Sequence, residues 1–407
     1  MSNILYISLT GMTEPLGRSQ VLEYIIDLSK DNKFYLISFE REQDLENINE
    51  IKELIKDYDI EWNYLIYSNK YGVFSTLYQL FQAVKLANKL KNLHNVKMIH
   101  ARSFIPAIIA YIVKLSDSNV KFLFDVRGFS TKEKIDRGRL KKNSLLYKIL
   151  FWLENLMFQK ADALNTLTYK AKEILEDEFK FDKDYIKVIP TCANKEVFKI
   201  ISNKEKNRFK KSLGYKDEDI IIIHTGTVSG WYDFDKELIL INELMKQDSN
   251  VRFLILNKNE KNFIEEKLDE YNMDRKKVKI TSSSFSEVYK YLNIASASLF
   301  FIKPTEAKRA SAPTKFAENV ACYLPSITNS GVGDMEFYLE KYNVGWLVEL
   351  DKIKEHKECY ALSILKEINK ENFDNSDFDK LFKTHFDKQI AVKKYNAIYE
   401  QLGECYE

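Results

Sequence analysis

Residues 297–334 read ASLFFIKPTEAKRASAPTKFAENVACYLPSITNSGVGD. The run Leu299-Phe300-Phe301-Ile302 is apolar at every position, as a strand covered on both faces requires. Lys303-Pro304 ends it, and a loop carrying Lys308 and Arg309 follows. Ser311 stands two residues ahead of Pro313, a helix-start signal with Ser311 as the hydroxyl cap and Pro313 in the first turn. A second strand over 325–328 and the turn Gly331-Val332-Gly333-Asp334 complete a strand–helix–strand unit. The helix start gathers Lys303, Lys308, Arg309 and Lys315. Free backbone N–H groups and the helix dipole add to those side-chain charges, which suits a phosphate group. Glu318, one turn further on, is placed to accept hydrogen bonds from ribose hydroxyls. The segment reads as a site for a nucleotide diphosphate.

The same alternation runs through the whole chain. Strand-like runs fall near 3–8, 34–39, 61–67, 97–100, 120–125, 163–167 and 185–189, and again near 219–224, 252–256, 277–280, 298–302, 325–328 and 346–349, with helix-length segments between them. That is the pattern of α/β proteins with parallel sheets. Residues 190–205 are polar and open with a proline, which places a hinge there. The expectation is an N-terminal domain over 1–193 joined by a C-terminal helix over 386–407, and a second domain over 194–385. The helix carries Ile390, Val392, Tyr395, Ile398, Tyr399 and Leu402 on one stripe. Seven of the twelve glycines lie just past predicted strand ends. Ligands of open α/β sheets bind at those ends, where glycine permits close backbone approach.

Composition narrows the class. With 407 residues the chain exceeds one ordinary core. A net charge of +2 and the absence of RNA-binding or zinc-finger signatures argue against a nucleic-acid partner. Cys192, Cys322, Cys359 and Cys405 are dispersed, which fits reduced thiols in the cytoplasm. The start MSNILYISL enters a strand directly, without a signal peptide, and no run of 18 uncharged apolar residues predicts a membrane span.

Three motifs carry a resemblance. Thr13-Glu14-Pro15-Leu16-Gly17-Arg18-Ser19-Gln20 follows the first strand, and Asp125-Val126-Arg127-Gly128-Phe129 follows the fifth. The third is Pro313-Thr314-Lys315 with Glu318, Ala321-Cys322 and Leu324-Pro325. Together they resemble the family 4 glycosyltransferases, and the first two resemble a bacterial subgroup of surface polysaccharide and glycoconjugate assembly. The resemblance implies the GT-B fold: two Rossmann-like domains facing a cleft, with the C-terminal helix crossing back to the first. It also implies retaining transfer of a sugar from a nucleotide-diphosphate donor to a glycan or lipid-linked acceptor, with no cofactor and no metal ion. Gly17, Thr227, Lys303, Arg309, Ser311, Lys315 and Glu318 are then the expected donor contacts, and Arg18, Gly128 and Phe129 the acceptor contacts. Two departures stand out. The first glutamate of the family's Glu-x7-Glu pair is Ala310 here, and the cations usual after the second domain's first strand are replaced by His224-Thr225-Gly226-Thr227-Val228-Ser229-Gly230-Trp231. Relocation of that charge to Lys303, Lys308, Arg309 and Lys315 is the hypothesis that follows.

Asp125, Arg127 and His100 are the catalytic candidates. Asp125 ends an apolar strand, and a carboxylate there is either functional or paired, with Arg127 the obvious partner. A structural Asp125–Arg127 pair is an equally open reading, and for His100 a hydrogen-bonded structural role is the commoner one. Retention needs no strong protein base; if the reaction inverts, Asp125 is the base. The Asp233-Phe234-Asp235 sequence, a metal motif elsewhere, reads as helix capping. Residues 132–148 carry seven Lys or Arg and lead into the apolar run 145–153, which is either a core helix or a segment lying on an anionic membrane. A nucleotide-sugar epimerase and a non-catalytic GT-B subunit are the rival readings.

Overall fold

A computed structural model describes residues 2–181, 185–369 and 373–404. Cys405 and the rest of the 405–407 tail lie outside the described residues. The chain divides into two compact units, Met1–Pro190 with Lys388–Glu407, and Thr191–Asp387.

The first unit is a seven-stranded parallel sheet: β1 (Ser2–Ser8), β2 (Asn32–Arg41), β3 (Ile60–Tyr67), β4 (Met98–Arg102), β5 (Lys121–Val126), β6 (Ala163–Thr166) and β7 (Ile186–Val188). Their order is β3-β2-β1-β4-β5-β6-β7. The second unit holds β8 (Ile220–Thr225), β9 (Val251–Leu256), β10 (Val278–Thr281), β11 (Ala297–Leu299), β12 (Ser326–Asn329) and β13 (Gly345–Val348), in the order β10-β9-β8-β11-β12-β13. Both orders begin 3-2-1-4-5, the doubly wound arrangement. In each, the strand order reverses beside the first strand, which opens a crevice at its carboxyl end.

The sequences explain the sheet positions. Ile4–Ile7 of β1 and Ile220–Ile223 of β8 are buried without alternation because helices cover both faces. Edge strand β3 exposes Tyr64, Ile66 and Tyr67 instead. Strand β11 is shorter than its apolar run suggests. The amides of Phe301 and Ile302 donate to the Glu237 and Asn329 side chains at 2.9 and 2.8 Å, so the backbone leaves the ladder there.

The C-terminal helix, Lys388–Glu404, belongs to the first unit. Val392, Tyr395, Ile398, Tyr399 and Leu402 are all buried along it. Lys388 Nζ anchors its start on Asp27 Oδ2 at 2.8 Å and Glu23 Oε2 at 3.2 Å, both on the Glu23–Leu28 helix.

Candidate functional site

Strands β8 and β11 are neighbours in the second sheet, so the loops leaving their carboxyl ends meet at the reversal point. After β8 the chain makes the loop Gly226–Tyr232. Gly226 and Gly230 both have positive φ, 80° and 69°, which favours glycine. Glu260 fixes this loop: its carboxylate accepts from the amides of Val228 (2.9 Å) and Ser229 (3.3 Å), from the Ser229 hydroxyl, and from Asn257 Nδ2 (2.8 Å). His224, fully buried at the end of β8, has Nδ1 at 2.7 Å from Glu237 Oε2 and Nε2 at 3.0 Å from the Thr227 carbonyl oxygen. The Thr227 side chain is exposed.

Three lysines from the β11 side converge on that loop. Lys303 Nζ donates to the Gly230 carbonyl at 3.2 Å. Lys308 Nζ lies 4.1 Å above the Trp231 ring. Lys315 Nζ lies 3.9 Å above the Tyr232 ring and 3.4 Å from His224 Nε2. Among the described residues no carboxylate comes within ion-pair distance of Lys315. Burial lowers its ammonium to about 8, against the raising pull of Glu237, Glu318 and Glu260. The half-buried Glu318 carboxyl is pushed up to about 7 by burial, with the Lys315 charge acting the other way. Desolvated titratable groups at a sheet's reversal point mark a candidate site.

Several expectations need correction here. Ser311 does not cap the helix. It follows a 3-10 turn, Lys308–Ala310, and its amide donates to the Lys308 carbonyl; the helix starts at Thr314 with Pro313 at the cap position and no side-chain cap. Arg309 pairs with Glu306, three residues earlier, at 3.1 Å, its side chain 41% exposed. Asp233 occupies the cap position of the Phe234–Gln247 helix but makes no capping hydrogen bond, pairing instead with Lys236 at 3.5 Å. Among the described residues no three His, Cys, Asp or Glu side chains are grouped to hold a metal ion.

In the first unit the structure brings Asp125, Arg127 and His100 together and encloses them. Asp125 is fully buried. Its Oδ2 accepts from Arg127 Nε and Nη2 at 2.8 and 2.6 Å, and its Oδ1 accepts from Asn165 Nδ2 at 2.7 Å. His100 Nε2 stands 3.4 Å from Asp125 Oδ2, and its Nδ1 is 2.6 Å from the Tyr399 hydroxyl. Arg127 Nη2 also donates to the Tyr395 hydroxyl at 3.0 Å. Burial alone would raise the Asp125 carboxyl, but Arg127 and His100 hold it well below the usual carboxylate range. Burial pushes the His100 imidazole down, against Asp125. A general base needs an accessible lone pair, and Asp125 has none exposed. The geometry supports the structural reading of this cluster, tied to the C-terminal helix.

The neighbouring calls sort the same way. Phe129 is fully buried and stacks on Phe179, with Phe158 edge-on, so its ring is core and not an acceptor contact. Gly17 has helical φ, and a Cβ there would collide with the Gly11 carbonyl; the glycine serves that close approach. Arg18 is partly exposed and pairs with Glu50 at 2.6 Å. Gly128, at φ 154°, is half-buried.

Sequence reasoning missed Glu237, Glu260 and Glu40. Glu40 accepts from the amides of Met12 (2.8 Å) and Thr13 (3.1 Å), organising the loop after β1 as Glu260 does the loop after β8. A signal existed for Glu237: it occupies the inward face of the amphipathic run FDKELILINEL, one position from Leu238. Glu40 and Glu260 act on loops about 30 residues away, and nothing local announces them.

No protein-family model matches the chain, and no curated protein matches it. Solved structures do. A glycosyltransferase from Rickettsia africae matches with a TM-score of 0.70 at 17% identity, over 98% of each chain. Sucrose-phosphate synthase from Thermosynechococcus elongatus matches at 0.72 and 14%, over 100% of each. HepE from Anabaena, solved in complex with UDP and glucose, matches at 0.71 and 14%, over 98% of this chain and 100% of that one. The fold is GT-B. At such identity the likeness speaks for the fold alone.

Proposed function

We propose that the chain is a nucleotide-sugar-dependent glycosyltransferase of the family 4 kind. It would transfer a sugar from a nucleotide-diphosphate donor to a glycan or lipid-linked acceptor in surface polysaccharide or glycoconjugate assembly, with retention and without a metal ion. The reading places it in the cytoplasm, peripheral to the membrane. The observation that carries it is the convergence of Lys303, Lys308 and Lys315 on the Gly226–Tyr232 loop at the reversal point of the second sheet. HepE, a fold neighbour, was solved with UDP-glucose as well as with UDP.

The residues fit the chemistry. The bond that breaks joins the anomeric carbon to a phosphate oxygen, and the bond that forms joins that carbon to an acceptor hydroxyl on the same face. The acceptor proton passes to the departing phosphate, so no protein base is required. Negative charge builds on the diphosphate as the bond breaks, and lysines fixed nearby stabilise it without reorganising. Each charge-assisted contact contributes about 1.5–3 kcal/mol, so three supply much of the roughly 8 kcal/mol of micromolar affinity. Glu318, one turn into the Thr314–Ala321 helix, is the ribose contact in this reading. Thr227 and the Gly226–Gly230 backbone flank the donor, and Arg18 and Gly128 remain the acceptor-side residues. Asp125, Arg127 and His100 hold the C-terminal helix.

The test is a thermal-shift series with nucleoside diphosphates and their sugars, followed by product analysis with acceptor. A ligand at a hundred times its Kd adds about 2.7 kcal/mol of stability. At least one diphosphate is expected to raise Tm in the intact chain and clearly less in Lys315→Ala, and its sugar is expected in a new glycosidic product. No shift with any diphosphate overturns the reading. So does donor conversion without acceptor, which is epimerase behaviour, or binding without turnover, which is that of a non-catalytic subunit.

A further inference from the structure

The first unit carries an apolar surface that the donor reading does not use. The Val73–Leu93 helix exposes Phe74 (80%), Leu77 (56%), Tyr78 (63%) and Phe81 (66%). Their spacing is i, i+3, i+4, i+7, one continuous stripe of a helix. Edge strand β3 extends it with Tyr64 and Ile66, and a groove of about 730 Å³ runs between strand and helix past Tyr71 and Phe74. Single exposed apolar residues are ordinary, but a contiguous patch of this size marks a contact surface.

A second patch lies on the Leu145–Lys160 helix, where Leu145 (75%), Leu146, Ile149 and Trp152 (60%) are exposed. The Phe104–Ser116 helix packs between the two, so all three share one face of the sheet. Each patch-bearing helix must return the chain to the amino end of its next strand. Its N-terminal half therefore lies toward the carboxyl ends of the strands. Both patches occupy those N-terminal halves. The two stripes sit at the same end of the same face, about 20 Å apart at ordinary helix spacing.

Charge identifies the occupant. The chain holds 60 Asp and Glu in 407 residues, yet none occurs from Trp62 to Ser116 and none from Arg137 to Leu153. The exposed charges there are all positive: Lys70, Lys85 and Lys89 around the first patch, and Arg137, Arg139, Lys141, Lys142 and Lys148 around the second. A groove of about 260 Å³ brings Lys134, Arg137 and Arg139 beside Leu146 and Leu150, with Glu133 the one carboxylate on its wall. Apolar side chains with Tyr and Trp, ringed by cations that outnumber the carboxylates beside them, match an anionic lipid interface: rings enter at headgroup level and lysines meet the phosphates.

We propose that the first unit docks on an anionic bilayer through two feet, the Phe74–Phe81 stripe and the Leu145–Trp152 stripe with its basic flank. This proposal rests on the peripheral-membrane part of the reading above and names its surface; neither foot depends on the second unit's site, so failure of docking and failure of sugar transfer are distinguishable. No helix among the described residues is long and apolar enough to cross a membrane, so the feet lie on the surface.

The test is co-sedimentation of the whole chain with phosphatidylcholine vesicles containing about a third phosphatidylglycerol, at low salt, against pure phosphatidylcholine. Binding to the anionic vesicles and little to the neutral ones is expected. Removing two buried rings or reversing two interfacial lysines is each worth about tenfold or more in partitioning, so F74S/F81S and K141E/K142E should each lower the bound fraction by at least that much. Trp152 emission should shift to the blue on binding. Leu362→Ser, which removes an exposed apolar side chain of the second unit, should change nothing. All substituted positions are exposed, and an unchanged Tm for each variant confirms folding. Absence of binding to anionic vesicles overturns the proposal, as does equal binding to neutral ones. A concentration-dependent dimer that F74S/F81S abolishes, without vesicle binding, makes the surface a self-association face and also overturns it.

Discussion

The two units solve one architectural problem in the same way and then diverge. In each, the loop after the first strand is fastened by a carboxylate reached through the neighbouring strand: Glu40 holds the amides of Met12 and Thr13, and Glu260 those of Val228 and Ser229. Beyond that fastening the charge economy differs. In the first unit Asp125 is cancelled by Arg127 under Tyr395 and Tyr399, with a second buried cation, Arg102, reaching only the Thr10 hydroxyl at 3.4 Å among the described residues. The second leaves Lys315 buried with rings and an imidazole for company and its ammonium lowered to about 8. A cancelled buried pair fixes a structure. An uncancelled buried cation costs stability that an anionic ligand would restore.

Breaking each arrangement should therefore move stability in opposite directions. Asp125→Asn strands the Arg127 guanidinium in the core and should cost about 3–5 kcal/mol in denaturant unfolding. A loss under about 1 kcal/mol would show that the cluster is not the fastening described. Lys315→Met removes the desolvated charge and should leave the fold unchanged or up to about 2 kcal/mol more stable near pH 7. The same change should weaken nucleoside diphosphate binding roughly tenfold to a hundredfold, measured by calorimetry. The pH dependence has a definite sign. Above about 8 the native state sheds the Lys315 proton, while the unfolded chain keeps it to the ordinary 10.5. The unfolded state then binds more protons, so stability relative to Lys315→Met should rise across that window. Diphosphate affinity should fall over the same range, because the cation is lost.

How far the sequence foretells this follows the range of each interaction. All thirteen strands are legible, the inner ones because a doubly covered strand writes its burial into consecutive residues, the edge strands β3 and β10 through their β-branched and aromatic content. The Lys303–Glu318 segment is legible for a similar reason, since its charges lie within one loop and one helical turn. The orientations inside it are not. Ser311 and Arg309 are set by a 3-10 turn that no periodicity reveals, and Lys315 turns inward because Tyr232 and His224 arrive from β8, some 80 to 90 residues earlier. The closure of Asp125 was beyond reach for the same reason: Tyr395 and Tyr399 stand on a helix about 270 residues away. The stripe showed that those tyrosines were buried, and only the fold shows against what.

Smaller effects sharpen the comparison at the rim of the second unit. The native Glu318 carboxyl titrates near 7 instead of its ordinary 4.5. Its stabilising contribution is fully present below 4.5 and lost as pH rises through 7, because there the native state, not the unfolded one, holds the extra proton. Glu318→Gln should therefore exceed the wild type by about 1–2 kcal/mol at pH 8, discounted for partial exposure, with the gap closing near pH 5. A constant gap would mean that Glu318 is solvated.

Arg309 closes the series. Its partner Glu306 is 63% exposed, and an ion pair in such surroundings contributes about 0–1 kcal/mol. Arg309→Ala should shift unfolding by under about 0.5 kcal/mol. If the guanidinium stays with Glu306, diphosphate affinity should change by less than about threefold, well short of the Lys315→Met effect. A tenfold loss at Arg309 would mean that the side chain swings from Glu306 to the ligand. An exposed pair is weak enough for a phosphate to outcompete, so the charge of the second unit would then be shared between a buried lysine and a mobile arginine.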